Sequence, residues 1–475
     1  MGSFIYGLAV VLVIFEGIIT ECEGTGGAGI VGSSECPLEL LPNDIITKFV
    51  QEMSIDGKIK YAKDGAVMKR THDPITGNIL QNSIILISND NARKKFDVYY
   101  EHGNLFVRFD DFEILMSFFE ICGEQVSRIY INIDWDSMNE SNQEKFVKNI
   151  FKTHINYIEE LQIKILNDEG FWKKMSNGGI DIKFPQVKKF HITGESKKKK
   201  FNLNFIFPNM TSFGLFGNVT DSDCLAEVTL LEELILHTKS ISELKICEIL
   251  KKNNKIEKLS LSCAEKAQTM HSIATYLPNL EKLTVKYPGF DFVFLTSDDS
   301  PLHELRSVTH FDISFTELTK YGIGYISFNM PILKKLILNS VLADCRVVYF
   351  VKQFKTLDIV EFSAKDKSDY IKCIRELKKH IKEIIIFVEF QYGFYQEVSH
   401  LMDIFAESDE TTTLQKVKIE NVDDSVYRKY QAEMRFTNKF LRENDKPTWT
   451  LSHEQTGESL INLIYDRDPE HANLE

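Results

Sequence analysis

One spacing recurs through residues 126–419: an apolar residue, two variable ones, a second apolar residue, one variable, and a third apolar residue. It reads Val126/Ile129/Ile131, Ile158/Leu161/Ile163, Val187/Phe190/Ile192, Met210/Phe213/Leu215, Leu231/Leu234/Leu236 and Ile256/Leu259/Leu261. It continues as Leu280/Leu283/Val285, Val308/Phe311/Ile313, Leu333/Leu336/Leu338, Leu357/Val360/Phe362, Ile381/Ile384/Ile386 and Leu414/Val417/Ile419. Successive middle members lie 21 to 33 residues apart. The alternation at the end of each triplet is that of a strand with one buried face. One such stretch is an ordinary core strand. Twelve at near-regular spacing require a repeated unit that cannot bury its own apolar face and must stack on its neighbours.

The segments between triplets carry helical periodicity. Ser240–Lys252 places Ile241, Leu244, Ile249 and Leu250 on one stripe, and Asp369–Lys379 does the same with Ile371, Ile374 and Leu377. A short strand followed by a returning helix, at this period, is the leucine-rich-repeat pattern, and the expected fold is an α/β horseshoe. The 34 phenylalanines suit its layered core. Residues 76–125 are expected to cap the array at its start, residues 126–424 to form the repeats, and residues 425–475 to cap its end. In that last segment Ser425–Arg442 reads as an amphipathic helix through Val426, Tyr430, Met434, Phe440 and Leu441.

Because side chains alternate along a strand, residues beside the triplet members face the concave surface. Tyr130, Ile235, His237, Lys258, Lys282, Lys286, His310, Lys335, Ile337, Ile385 and Phe387 are the candidate target-binding residues. Exposed Ile and Phe there fit a protein-binding patch, and the row Lys258, Lys282, Lys286 and Lys335 suits an acidic partner. Solvation of a strand face is the plainer account of any one lysine.

Other chemistry finds no carrier. A formal net charge of −13 argues against a nucleic-acid partner. No nucleophile elbow, paired-histidine zinc motif or Walker glycine loop occurs, so catalytic residues, a metal and a cofactor are not expected. The eight cysteines contain no C-x-x-C pair. Seven would remain after cleavage beyond Cys22, an odd and scattered set that reads as buried thiols rather than a disulfide framework. Lys197–Lys200 reads as a solvated loop, with nuclear import as the alternative. Sequons stand at Asn139, Asn209 and Asn218, and the last two bracket a core strand where access looks poor.

The N-terminus has a different character. Phe4–Phe15 is continuously apolar and reads as an export leader, residues 1–24, followed by a glycine-rich spacer at 25–35. No membrane association is expected once the leader is removed. A compact helical module is expected at 36–75. Within it Pro42 and Asp44 suit a helix start, and Ile45, Phe49 and Met53 form one row beside Ile46 and Val50. Ser54 is placed to cap a second helix holding Ile55 and Ile59.

Leu41-Pro42-Asn43-Asp44-Ile45-Ile46, then Phe49, then Met53-Ser54-Ile55, resembles the opening of an F-box. That resemblance implies docking to a Skp1-like adaptor of a cullin ubiquitin ligase through Leu41, Pro42, Ile45, Ile46 and Phe49. It does not extend past Ala62, and Lys63–Arg70 lacks the usual closing aromatic. With the leader and the repeats, the order of parts is similar to the secreted F-box/leucine-rich-repeat effectors of plant-feeding gall midges. The implication is a non-catalytic substrate receptor that is secreted, then acts in host cytoplasm or nucleus on a host target. An extracellular repeat protein with no ubiquitin role, and an intracellular F-box protein, remain open alternatives.

Overall fold

In the computed structural model the twelve triplets become twelve parallel strands in one register. The model describes residues 83–467 except 89–95, 102–103, most of 110–122, 136–137, 167–182, 195–202, 218–224, 226, 239–240, 263–266, 287–304, 314–329, 339–350, 353, 365–366, 389–397, 408–411, 424–426, 444–445, 447 and 456–459. The chain divides into two compact units, Met1–Ile75 and Thr76–Glu475, and every described residue belongs to the second. The leader, the spacer and the adaptor-facing set Leu41, Pro42, Ile45, Ile46 and Phe49 therefore lie outside the described residues, as do Lys197–Lys200 and Asn218.

The described strands are β1 (Ser83–Ser88), β2 (Phe96–Glu101), β3 (Asn104–Phe109), β4 (Arg128–Asp134), β5 (Glu160–Leu166), β6 (Lys189–Thr193), β7 (Ser212–Phe216), β8 (Glu233–His237) and β9 (Lys258–Leu261). They continue as β10 (Lys282–Val285), β11 (His310–Asp312), β12 (Lys335–Leu338), β13 (Ile359–Ala364), β14 (Glu383–Val388), β15 (Lys416–Asp423), β16 (Trp449–Gln455) and β17 (Leu460–Arg467). From β4 to β15 each strand pairs in parallel with the next, and the middle triplet members meet one another throughout, from Ile129↔Leu161 to Ile384↔Val417. Every triplet member is buried, the most accessible being Ile192 at 7%. This is a leucine-rich-repeat-type solenoid.

Backbone hydrogen bonds tie the repeats together just ahead of the strands. The amides of Glu159 and Glu160 both donate to the Ser127 carbonyl, those of Lys188 and Lys189 to Glu159, and those of Thr211 and Ser212 to Lys188. The series runs on unbroken until Gln415 and Lys416 donate to Lys382. Several repeats lead into this ladder through a turn with proline at its second position: Phe184-Pro185, Phe207-Pro208, Leu277-Pro278 and Met330-Pro331. Proline presets the φ such a turn needs.

The described α-helices are α1 (Glu140–Phe146), α2 (Leu203–Ile206), α3 (Glu243–Lys252), α4 (Ala267–Tyr276), α5 (Lys367–Leu377), α6 (Val398–Ala406) and α7 (Tyr427–Glu443). Helix α5 buries Ile371, Ile374 and Leu377 as the stripe predicts, together with Cys373. Helix α3 corrects the expected stripe. Ser242 caps it, Ile246, Ile249 and Leu250 are buried, and Leu244 is 68% exposed. Two residues before Ile246, Leu244 lies about 200° around the helix, because i and i+2 never share a face.

The first repeats hold an aromatic spine. Trp135, Phe146, Phe151, Phe184, Phe207, Phe190 and Phe213 follow one another with ring centroids 4.3 to 6.0 Å apart. Phe190 and Phe207 are stacked at 4.3 Å. The spacing suits stacked and edge-on ring pairs, which contribute beyond their buried area.

Both ends of the parallel array are covered by further strands. At the start β1 lies parallel to β4, with Ile85 and Ile87 beside Ile129 and Ile131, and β3 and the antiparallel β2 lie beyond it. At the end β17 runs antiparallel to β15, and β16 pairs antiparallel on its far side. Met434 and Leu441 anchor α7, whereas Phe440 is 47% exposed. Trp449 stacks on Phe405 at 4.3 Å, and Asn438 holds its backbone by accepting from the Trp449 amide and donating to its carbonyl.

A candidate recognition face on the sheet

One face of the sheet packs on the core and the other is open. On the open face the residues form rows that cross the strands. One row runs Arg128, Glu160, Lys189, Ser212, Glu233, Lys258, Lys282, His310, Lys335, Ile359, Glu383, Lys416, each beside the next. The adjacent row includes Tyr130, His191, Gly214, Ile235, Asp312, Ile337, Glu361, Ile385 and Lys418.

The predicted site residues fall on this face with one correction. Lys258 and Lys282 are exposed, and Phe387 is 37% exposed. Tyr130, Ile235, His237, Lys286, His310, Lys335 and Ile337 are half-buried. Burial raises the phenol pKa of Tyr130 above its ordinary value. Ile385 is buried at 8% and offers little to a partner. Its register neighbours are Glu361 and Lys418, long side chains held across the sheet by ion pairs. Strand alternation assigns a face but not the size of neighbours, so it overstated the accessibility of Ile385.

Alternation applied to β6 and β7 adds two residues to the expected set, His191 and Phe216. The Phe216 ring stands edge-on between His191, at 5.9 Å, and His237, at 5.2 Å. Gly214 makes room for this: a Cβ there would sit 2.6 Å from His191 Cδ2 and 3.0 Å from Phe216 Cε2. Beside them the Ser212 hydroxyl donates to Glu233 at 2.6 Å, and His237 Nε2 shares a 2.7 Å hydrogen bond with Ser260 Oγ.

Charges are compensated toward both ends of this face. Arg128 meets Glu160 at 3.3 Å, Lys335 meets Glu361 at 3.1 Å, and Lys416 meets Glu383 at 3.7 Å. Lys418 lies 3.1 Å from Glu420 and 3.3 Å from Glu454. Burial opposes its charge, but hydrogen bonds and fields from both carboxylates outweigh that and hold its pKa above the ordinary value. In the middle the pattern stops. Among the described residues Lys258 and Lys282 make no ion pair, and Lys286 bears on His237 as a positive field that Asp312 opposes.

Four histidines of the array have pKa values pushed below the ordinary value of about 6.5. Burial is the leading cause in each. For His191 the fields of Glu160 and Glu233 oppose it and Lys189 reinforces it. For His237 Lys286 reinforces it and Asp312 opposes it. For His310 Lys282, Lys335 and Lys334 reinforce it and Glu281 opposes it. For His154, packed against Gly123 and Phe119, Glu124 opposes it. Below about pH 6.5 the unfolded chain therefore binds more protons than the folded one, and stability falls as pH drops from there toward the folded-state values. Urea unfolding is expected to show a lower midpoint at pH 5.5 than at pH 7.5, with a smaller loss in His191→Gln. A midpoint that rises on acidification would contradict this.

Among the described residues Cys247 and Cys373 form no disulfide, and Cys247 accepts a hydrogen bond from Ser272 Oγ at 3.0 Å. Asn139 and Asn209 are both exposed, which corrects the expected poor access at Asn209. Asn139 caps α1, and Asn209 Nδ2 donates to the Pro185 carbonyl at 2.7 Å. No group of residues suited to a metal ion occurs among the described residues, and no described helix is long and apolar enough to cross a membrane.

No protein family matches the chain by sequence, and neither does any curated protein. Among solved structures the chain is similar to an internalin (InlF) of Listeria monocytogenes at 12% identity. That alignment covers 79% of this chain and 87% of the other, with a TM-score of 0.34. At that level of superposition the register and burial of the strands, not the neighbour, identify the repeats.

Proposed function

We propose that this protein is a non-catalytic recognition protein whose open sheet face holds a target protein, and that it acts as a substrate receptor of a Skp1–cullin–F-box ubiquitin ligase. The observation that carries the recognition half is the surface at β8–β10, where Lys258 and Lys282, side by side and in no ion pair among the described residues, stand near half-buried Ile235. A monomeric fold gains nothing from like charges set side by side on a sheet, so a partner that neutralises them is the natural complement. Ubiquitin transfer would be promoted by proximity, with no acid or base supplied by this chain.

The adaptor half rests on the F-box resemblance of Leu41, Pro42, Ile45, Ile46 and Phe49. The expected leader at 1–24 supports export, and the lack of a disulfide at Cys247 and Cys373 among the described residues suits a reducing destination such as host cytoplasm. The double variant Ile45→Asp/Phe49→Asp is expected to abolish co-purification of a Skp1-like adaptor while leaving the urea unfolding of the repeats unchanged. Undiminished co-purification would remove the ubiquitin-ligase role and leave a recognition protein alone.

A further inference from the structure

We infer that the open face over β7–β12 is a two-part docking surface for an extended protein segment that carries an apolar side chain next to a short acidic run. This rests on the reading of that face as the recognition surface and names the chemistry it selects. The cationic part is a ladder. Lys258 and Lys282 stand directly beside each other on β9 and β10, and the row continues through His310 to Lys335, which Glu361 already engages. Neighbouring strands are about 4.8 Å apart, so the ladder spans roughly 14 Å. An extended chain rises about 3.3 Å per residue, and some four residues cover that length.

The ladder has a direction. Toward β13 and β14 it ends at Glu361 and Glu383, which engage Lys335 and Lys416 and repel a further acidic residue. Toward β8 it ends at Glu233, which is engaged by the Ser212 hydroxyl, and beside that carboxylate Ile235, His237 and Phe216 form an apolar and aromatic patch with the Phe216 ring clamped between two imidazoles. Lys286 lies on the same side and adds its field near His237. Asp312, in register with Thr284 and Ile337, is a second described carboxylate of the strip and stands outside the lysine row. A segment lying across the strands thus meets positive charge over β9–β10 and an apolar seat over β7–β8. The protein's net charge of −13 opposes the approach of an acidic ligand in general, which makes this local surplus of cations the more selective.

The test uses the full chain and fluorescein-labelled 12-residue peptides read by anisotropy. One peptide carries a Trp three residues from four consecutive Asp/Glu. A second has the acidic run changed to Asn/Gln, and a third has Trp changed to Ser. The first is expected to bind, with losses of about tenfold or more for the second and about fivefold for the third. Lys258→Glu/Lys282→Glu should abolish binding of the first peptide, and Ile235→Ser should reduce it to the level of the third. Lys251→Glu on α3, away from this face, should change nothing, and unfolding midpoints show that each variant folds. Equal affinity for the uncharged peptide overturns the inference. Equally tight binding of poly(U) or phosphatidylserine vesicles, lost in the same double variant, also overturns it.

Peptide display on the full chain separates the two levels. Enriched peptides that depend on Lys258 and Lys282 but carry no acidic excess overturn the inference and leave the recognition face intact. Enriched peptides indifferent to every open-face substitution overturn the recognition face itself.

Discussion

Phe190→Ala is expected to cost about 3–5 kcal/mol of folding stability, the range for truncating a fully buried aromatic. Phe190 is 0% exposed, stacks on Phe207 at 4.3 Å, and lies 6.0 Å from Phe213. It is thus a middle triplet member and a link in the spine that joins β4–β7 through their cores. Neighbouring rings on both sides restrict collapse into the void, which favours the upper part of the range. Phe190→Leu keeps most of the volume and should cost no more than about 1.5 kcal/mol. Urea unfolding of both variants checks this. A loss below about 1 kcal/mol for the alanine variant would mean that the spine does not bear on stability.

Asn253→Ala is expected to be nearly as damaging, at about 3–5 kcal/mol, although the residue is polar. Asn253 is 0% exposed. Its Nδ2 donates to the carbonyls of Val228 and Ile249, each at 2.9 Å, and its Oδ1 accepts from the Leu231 amide at 3.1 Å. It therefore closes the C-terminus of α3 and fixes the turn that leads into β8. Alanine strips partners from buried backbone groups, each worth about 1–3 kcal/mol when left unpaired. Asn253→Asp keeps the acceptor, loses both donations and adds a charge, so it should be no better. Because each repeat leans only on its neighbours, damage at this junction should also broaden the unfolding transition or split it in two. A single sharp transition at the native midpoint would refute the role given to this side chain.

These two residues mark what a linear reading sees and what it misses. Phe190 was legible because burial in a strand leaves a period-two trace, and all twelve triplets share the register their spacing predicts. Asn253 left no trace. Two of its three partners come from a turn 22 to 25 residues earlier, and an asparagine after a helix reads equally well as a solvated cap. The open face was legible as a set of positions, since Lys258, Lys282 and Lys335 were named from alternation alone. Its geometry was not: the notch at Gly214, the clamped Phe216 ring and the burial of Ile385 depend on which side chains become neighbours across strands. Leu244 and β1 illustrate the same limit. A helix stripe shifts when its cap is misplaced, and one extra parallel strand at 83–88, outside the counted repeats, lacks the company that made the others conspicuous.

The antiparallel strands at the end of the array also bear on how copies of the chain meet. A parallel solenoid left bare would offer at one end the complement of its other end, and a head-to-tail contact of that kind does not close on itself. Copies would add one after another into filaments. With β17 and β16 reversing the strand direction, and Asn438 occupying backbone groups of Trp449 on the outer strand, the terminal edge no longer continues the pattern. At high concentration the chain would then stay as separate particles, each with its open face available.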